Sequence, residues 1–116
     1  MNETDIGNKA EQLAIKYLKK QGYKILETQY HVRPFAEIDI ITIHKKDLAF
    51  IEVKYRKEYS PSFGETFLMV TKKKQNKIKI TAQAFLKENK VKFNNISFDV
   101  ISITADNLEH IKNAFN

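Results

Sequence analysis

The chain has no cysteine, which excludes a disulfide framework, thiolate metal sites and cysteine nucleophiles together and leaves packing alone to hold the core. A reducing cytoplasm is the compartment this suits. Glycine (three) and proline (two) are nearly as scarce. No stretch is rich in Ser, Pro or Gly, so neither a flexible linker nor a long disordered tail is expected. Apolar runs fall well short of membrane-spanning length. The first residues, MNETDIGNKAEQ, are polar and carry acids, where a secretory signal would open with basic residues and then an apolar stretch. The expectation is a protein that is neither embedded in a membrane nor exported by that route.

What remains is a chain of 116 residues with 42% hydrophobic content, enough for one core, so residues 1–116 are expected to form a single domain. The net charge of +6 is unevenly spread. Between residues 72 and 92 there are eight lysines, of which Lys72, Lys73, Lys74, Lys77 and Lys79 open the segment, against the single acid Glu88; that segment carries +7 and the rest of the chain −1. One basic region on an otherwise neutral chain is the footprint expected for a polyanionic partner. A generally Lys-rich composition, 18 of the 20 basic residues being Lys, accounts for the charge equally well at this point.

Periodicity places the elements. Ala10, Leu13, Ala14, Tyr17 and Leu18 recur at helical spacing with lysines on the other face, and Gly22 follows as a stop, so a helix is expected over roughly residues 8–21. YKILETQY reads as a strand ended by the proline of HVRPF, and EIDIITI and LAFIEVKY read as a β-hairpin. Residues 56–70 show no period and suggest an irregular excursion of the kind tied to binding. Thr71 is a plausible N-cap for a second amphipathic helix reaching about Asn89. ISFDVISI is a fourth strand, and Asp106 is expected to cap a short terminal helix carrying Leu108, Ile111 and Phe115. The order αβββαβα implies a crossover that makes the third and fourth strands parallel, in an α/β fold with one mixed sheet flanked by helices.

The hairpin register carries the chemistry. A symmetric four-residue connection over residues 44–47 sets Asp39 opposite Glu52 and Glu37 opposite Lys54, and the period of two puts all four on one face. Facing Cβ atoms are about 5 Å apart. Two carboxylates that close, on strands whose other residues are Ile, Phe, Leu and Val, repel each other and resist desolvation unless compensated. A divalent cation is the simplest compensation; Mg²⁺, which favours one or two carboxylates, waters and a phosphate, suits the set, with Mn²⁺ as the alternative. Lys54 could deprotonate or hold a water, or steady charge on a phosphate. A solvated face with a Glu37 to Lys54 pair is the bland alternative.

EID at residues 37–39 followed by FIEVKYR at 50–56 resembles the Asp…Glu-x-Lys signature of the restriction-endonuclease-like, or PD-(D/E)xK, superfamily, whose core order is αβββαβ. More closely the chain resembles the YraN family within that fold, related to Holliday-junction resolvases. Gly7, Glu11, Ala14, Tyr17, Leu18 and Gly22 carry the likeness in the first helix. Phe63, Gly64, Val70, Lys74 and Gln75, then FDVI and HIKNAF, extend it over nearly the whole chain. Ala10 and Ala36 stand where that family usually has Gly, and Thr66 and Lys72 where it commonly has Pro. None of these touches the acidic set.

The resemblance implies a nuclease-like site. Asp39, Glu52 and Lys54 would be catalytic, and Asp39, Glu52 and the Val53 carbonyl would hold the metal. Glu11 is either a further acid approaching that metal or the last member of an Asn8-x-x-Glu11 capping box. Arg56, Lys72, Lys73, Lys74, Gln75 and Lys77 would grip a nucleic-acid backbone without reading sequence. Three lysines at a helix start oppose the macrodipole, and phosphate attraction is a reason to tolerate them. Tyr55, Tyr59 and Phe63 are candidates for stacking. Asp99 is expected to be structural, and His31, His44 and His110 to lie on the surface. The expected activity is Mg²⁺-dependent phosphodiester hydrolysis leaving a 5′-phosphate, with nucleic acid as partner, DNA ahead of RNA and branched forms included. The alternatives are a non-catalytic nucleic-acid-binding module and a protein-interaction subunit. A homodimer is compatible with the sequence but not derivable from it.

Overall fold

The structure, a computed structural model, describes residues 3–56, 70–105 and 107–116. The elements run α1 (Glu3–Lys20), β1 (Lys24–Tyr30), β2 (Ile38–His44), β3 (Asp47–Tyr55), α2 (Lys72–Glu88), β4 (Asn95–Ile103) and β5 (Leu108–Phe115). They build one mixed five-stranded sheet in the order β1-β2-β3-β4-β5, with β3 and β4 parallel and every other neighbour antiparallel. The parallel crossover and the mixed α/β architecture expected from element order are both present, compatible with a restriction-endonuclease-like core. Among the described residues no helix is long and apolar enough to cross a membrane.

The two helices among the described residues cover opposite faces of the sheet. On one, α1 lays Ala10, Ala14 and Leu18 over Ile40, Ala49, Ile51 and Ile101. On the other, α2 lays Ile78, Ala82 and Phe85 over Ile38, Ile41, Leu48, Phe50 and Val100. Strand β3 contributes alternate residues to both cores, as a central strand must. Its unbroken apolar run LAFI is the sequence trace of that double burial.

The helix limits follow from their caps. α1 ends where Gly22 takes φ +92, a conformation that strains any residue with a Cβ. There Gly22 N–H donates to Lys19 O at 3.0 Å and Tyr23 N–H to Leu18 O at 2.9 Å, the paired bonds that satisfy the last carbonyls of a helix. α1 begins at Glu3, so Asn8 and Glu11 both lie inside it. This rules out the Asn8-x-x-Glu11 capping box. At the start of α2 the Thr71 hydroxyl accepts from Lys74 N–H at 3.2 Å, as expected.

The hairpin turn is tighter than four residues. His44 pairs with Asp47, and Lys45 and Lys46 alone make the bend, both at positive φ, the geometry of a two-residue turn that matches strand twist. The register is unaffected, because a symmetric turn of either length sets Ile43 opposite Leu48 and Ile40 opposite Ile51.

The expected terminal helix is instead strand β5. Leu108 and Ile111, three apart, fall on opposite faces of a strand, and beyond Ile111 three residues of β5 face the single residue Asp99 of β4. Asn113, at φ +53, sits in that bulge, and the Asp99 carboxylate accepts its N–H at 3.1 Å. The extra residues break the period of two and leave a spacing that mimics a helix. Residue 106 lies outside the described residues, as do residues 57–69 with Tyr59, Phe63 and Thr66.

His110 is not on the surface. Its side chain, 3% exposed, pairs with the buried Asp99 at 2.8 Å and takes a 3.3 Å contact from the Tyr17 hydroxyl. Asp99 is therefore a structural acid that fastens β5 to β4, and α1 closes over the pair through Tyr17. His31 is exposed and His44 half-buried, the latter stacked on Tyr23 with ring centroids 4.5 Å apart.

Candidate active site

The site lies where β2 and β3 part, beside the start of α2. The last paired residues of the hairpin there are Ile40 and Ile51, and one step further Asp39 and Glu52 meet as the register requires. At this point the Asp39 side chain replaces the backbone ladder: its Oδ2 accepts the Val53 N–H at 2.8 Å. In an antiparallel strand the N–H and C=O of one residue point to the same side, so the Val53 carbonyl faces the edge occupied by Asp39.

Glu52 is buried at 4% exposure. Its Oε2 lies 2.8 Å from Lys74 Nζ and 3.8 Å from Lys54 Nζ. Lys54 therefore joins the site through Glu52, while Glu37 is exposed and lies one residue outside β2, away from the strand pairing expected with Lys54. Lys74 was expected only as part of a basic run. Its approach to Glu52 had a sequence signal, since Lys74 precedes the buried Ile78 by four residues and Phe85 by eleven, on the helix face that meets the sheet.

α1 completes the site from the opposite face of the sheet. A cavity of about 270 Å³ is lined by Gly7, Asn8, Ala10, Glu11, Asp39, Val53 and Tyr55, so Glu11 and Asp39 face one cavity. Glu11 is also held by Gln29, whose amide donates to Oε2 at 3.4 Å. Among the described residues, no group of three or more His, Asp and Glu side chains is arranged to hold a metal ion by itself. An ion here would need backbone, water or substrate oxygens as well.

The electrostatics follow from burial and charge crowding. Burial first, then the neighbouring Glu52 charge, push the Asp39 carboxyl up to about 8. Glu11 adds to this, and the Val53 N–H opposes it. Glu11 itself is raised by burial, with Glu37 adding and the Gln29 hydrogen bond opposing. Lys54 is lowered, by burial and then by the adjacent Lys74. Burial would lower Lys74 also, but its contact with Glu52 outweighs that and holds it above its ordinary value. The outcome is a site in which one carboxyl keeps its proton near neutrality beside a second carboxylate, with two ammonium groups of unequal basicity alongside.

The remaining candidates sit around this centre. Lys72, Lys73 and Lys77 are exposed on the first turns of α2. The Gln75 amide donates to Val70 O at 3.0 Å, bracing the chain where it enters the helix. Arg56 follows β3, and its N–H donates to Ile103 O at 2.8 Å. Tyr55 is partly exposed at the mouth of the cavity with Glu11 and Asp39.

Comparison with known proteins gives a consistent answer. A family model described as Uncharacterised protein family UPF0102 matches residues 10–103, which include Glu11, Asp39, Glu52, Lys54 and Lys74. A UPF0102 protein of Francisella tularensis is 40% identical over 99% of this chain and 97% of its own length. One from Thermodesulfovibrio yellowstonii is 42% identical over 99% of each chain, and one from Fusobacterium nucleatum is 41% identical over 97% of this chain and 92% of its own.

Proposed function

We propose, for a chain that belongs to the Uncharacterised protein family UPF0102, the YraN-like group, that it is a metal-assisted endonuclease hydrolysing phosphodiester bonds in nucleic acid. The observation that carries this reading is the meeting of the half-buried Asp39 with the buried Glu52 at the open end of the hairpin, where burial and the Glu52 charge push the Asp39 carboxyl up to about 8. Burial disfavours a second negative charge beside Glu52, and a bound cation would relieve that. The donors suit Mg²⁺ or Mn²⁺: Asp39, Glu52 and the Val53 carbonyl are hard oxygens, and Glu11 stands across the same cavity. Such an ion would offset negative charge on phosphoryl oxygens and make a water easier to deprotonate.

The chain's own groups divide the remaining work. Lys54, made less basic than usual by burial and by Lys74, is suited to take a proton from the attacking water or to steady phosphoryl charge. Lys74 orients Glu52 through the 2.8 Å contact. The exposed Lys72, Lys73 and Lys77 draw the backbone toward the site without reading bases. DNA is the expected partner, and cleavage would leave a 5′-phosphate.

The second reading is a nucleic-acid-binding module without catalysis, and one observation favours it: Lys74 already satisfies Glu52 at 2.8 Å, so this carboxylate is compensated without an ion. Single-turnover cleavage of labelled duplex, junction, flap and RNA substrates with Mg²⁺ or Mn²⁺ separates the two. For a nuclease, Lys54→Ala lowers the rate by roughly 10² or more while metal and nucleic-acid affinity persist, and Asp39→Ala loses metal and cleavage together. Inactive wild type on all substrates, or Lys54→Ala cutting as fast as wild type, overturns the catalytic reading in favour of the binding module.

A further inference from the structure

A second cleft adjoins the site and has a different chemistry. It measures about 440 Å³ and is lined by Pro34, Phe35 and Ala36 on one side and by Thr71, Lys73, Lys74 and Lys77 on the other. One wall is apolar and aromatic, with Phe35 39% exposed at the surface. The other is the basic start of α2. Lys74 belongs to both places, because its Nζ touches Glu52 while its side chain lines the cleft. The cleft is thus the space immediately next to the proposed scissile position.

The two walls are tied together rather than merely adjacent. The buried Thr81 hydroxyl donates to the Ala36 carbonyl at 2.6 Å, which fixes the turn carrying Phe35 against α2. Phe35 N–H donates to Val32 O at 2.8 Å, closing that turn. On the far wall the Thr71 cap and the Gln75 to Val70 bond hold the first turn of the helix. A preformed slot with a ring on one side and ammonium groups on the other matches a nucleotide, whose base has a face to stack and whose phosphate has charge to pair.

We infer that the cleft between the turn at residues 34–36 and the start of α2 is a nucleotide subsite. In it Phe35 stacks on one unpaired base while Lys73 and Lys77 hold the flanking phosphates. The substrate class is therefore a strand with at least one unstacked nucleotide beside the scissile bond, and a continuous duplex fits poorly. A base inside a duplex is covered on both faces by its neighbours, so it offers Phe35 nothing until it is unstacked. This deepens the nuclease reading and rests on it for the position of the cleaved bond, whereas the subsite itself concerns binding alone.

The test is binding by the full chain in EDTA, so that no cleavage intervenes. Single-stranded oligonucleotides carrying 2-aminopurine at successive positions are compared with duplexes of the same sequence. The expected result is tighter binding of the single strand, with fluorescence quenched at one position by stacking. Phe35→Ala weakens single-strand binding by about fivefold or more and abolishes the quenching, with duplex affinity unchanged. Phe35→Tyr restores both, which a fault in folding would not do. Equal affinity of Phe35→Ala and wild type for the single strand, or quenching that survives Phe35→Ala, overturns the subsite. Wild type that shows Phe35-dependent binding but cuts nothing with Mg²⁺ or Mn²⁺ upholds the subsite and removes the nuclease. Cleavage by wild type together with single-strand binding that is indifferent to Phe35→Ala does the reverse.

Discussion

Replacing Asp39 by Asn should change how the stability of the fold depends on pH, and the size of the change can be worked out from the site. Asp39 is an acid whose carboxyl rises from 3.8 to about 8 on folding, chiefly through burial and then through Glu52. The folded chain therefore keeps a proton that the unfolded chain has already released. This favours folding fully below about pH 4 and is withdrawn as pH rises through about 8, the sign for a group raised by folding. At about 1.4 kcal/mol per pH unit, the withdrawal between about pH 5 and pH 9 amounts to ~4 kcal/mol. That is a large fraction of the stability of a small domain. Asn keeps the shape and an oxygen to accept the Val53 N–H but cannot titrate.

Urea unfolding of wild type and Asp39→Asn, in EDTA at several pH values across that range, isolates the effect as a difference. Titrating groups that do not interact with Asp39 are common to the two proteins and largely cancel. Wild type should lose stability relative to the variant as pH rises, by ~4 kcal/mol in the limit and by at least ~1 kcal/mol if solvent reaches the carboxyl more than its burial suggests. With Mg²⁺ at about ten times its Kd, wild type alone should regain about 1.4 kcal/mol near pH 8. Parallel pH profiles for the two proteins would refute the reasoning, because a carboxyl crowded against Glu52 in a buried site cannot titrate as it does in the unfolded chain. An equal Mg²⁺ effect on wild type and Asp39→Asn would place the ion away from Asp39.

Two further outcomes test the surroundings of the site. Lys72→Ala combined with Lys73→Ala should weaken binding to many sequences alike and flatten its salt dependence by about 0.7 to 0.9 in log–log slope for each lost phosphate contact, an unchanged slope showing that these lysines meet only solvent. His110→Ala leaves the buried Asp99 carboxylate short of its 2.8 Å partner and should cost about 1–3 kcal/mol by urea unfolding, with the amides of β5 losing hydrogen-exchange protection first; full stability would mean that the bulge at Asn113 holds β5 unaided.

Much of the fold was legible because the signals that determine it are local. The cap at Thr71, the stop at Gly22 and the apolar face of α2 are read within one or two turns of helix. The hairpin register survived a wrong turn length because symmetry about the bend, and not the number of residues in it, decides which residues face each other. That arithmetic brought Asp39 to Glu52, and the two-residue period placed Lys54 beside them. The start of α1 was missed by more than a turn because Asn8 and Glu11 have the spacing of a capping box wherever they occur, and spacing alone does not distinguish a cap from an interior turn.

The sequence by itself thus determined four of the five strands, helices α1 and α2, their order, the parallel crossover and the meeting of Asp39 with Glu52, since each depends on periodicity or on residues close along the chain. Only the tertiary structure decided that residues 108–115 pair as a strand, because the open edge of β4 and the buried Asp99 lie outside that segment, and a bulge disguised its period. It also decided that Lys74 leaves the basic run to hold Glu52, that Glu11 reaches the Asp39 cavity, and that Phe35 faces Lys73 and Lys77 across a cleft. These are contacts between elements far apart in sequence, on which no pattern within a single element bears. The proton that Asp39 keeps near neutrality is decided in the same way, because a carboxyl's affinity for its proton depends on burial and neighbouring charge, and both exist only once the chain has packed.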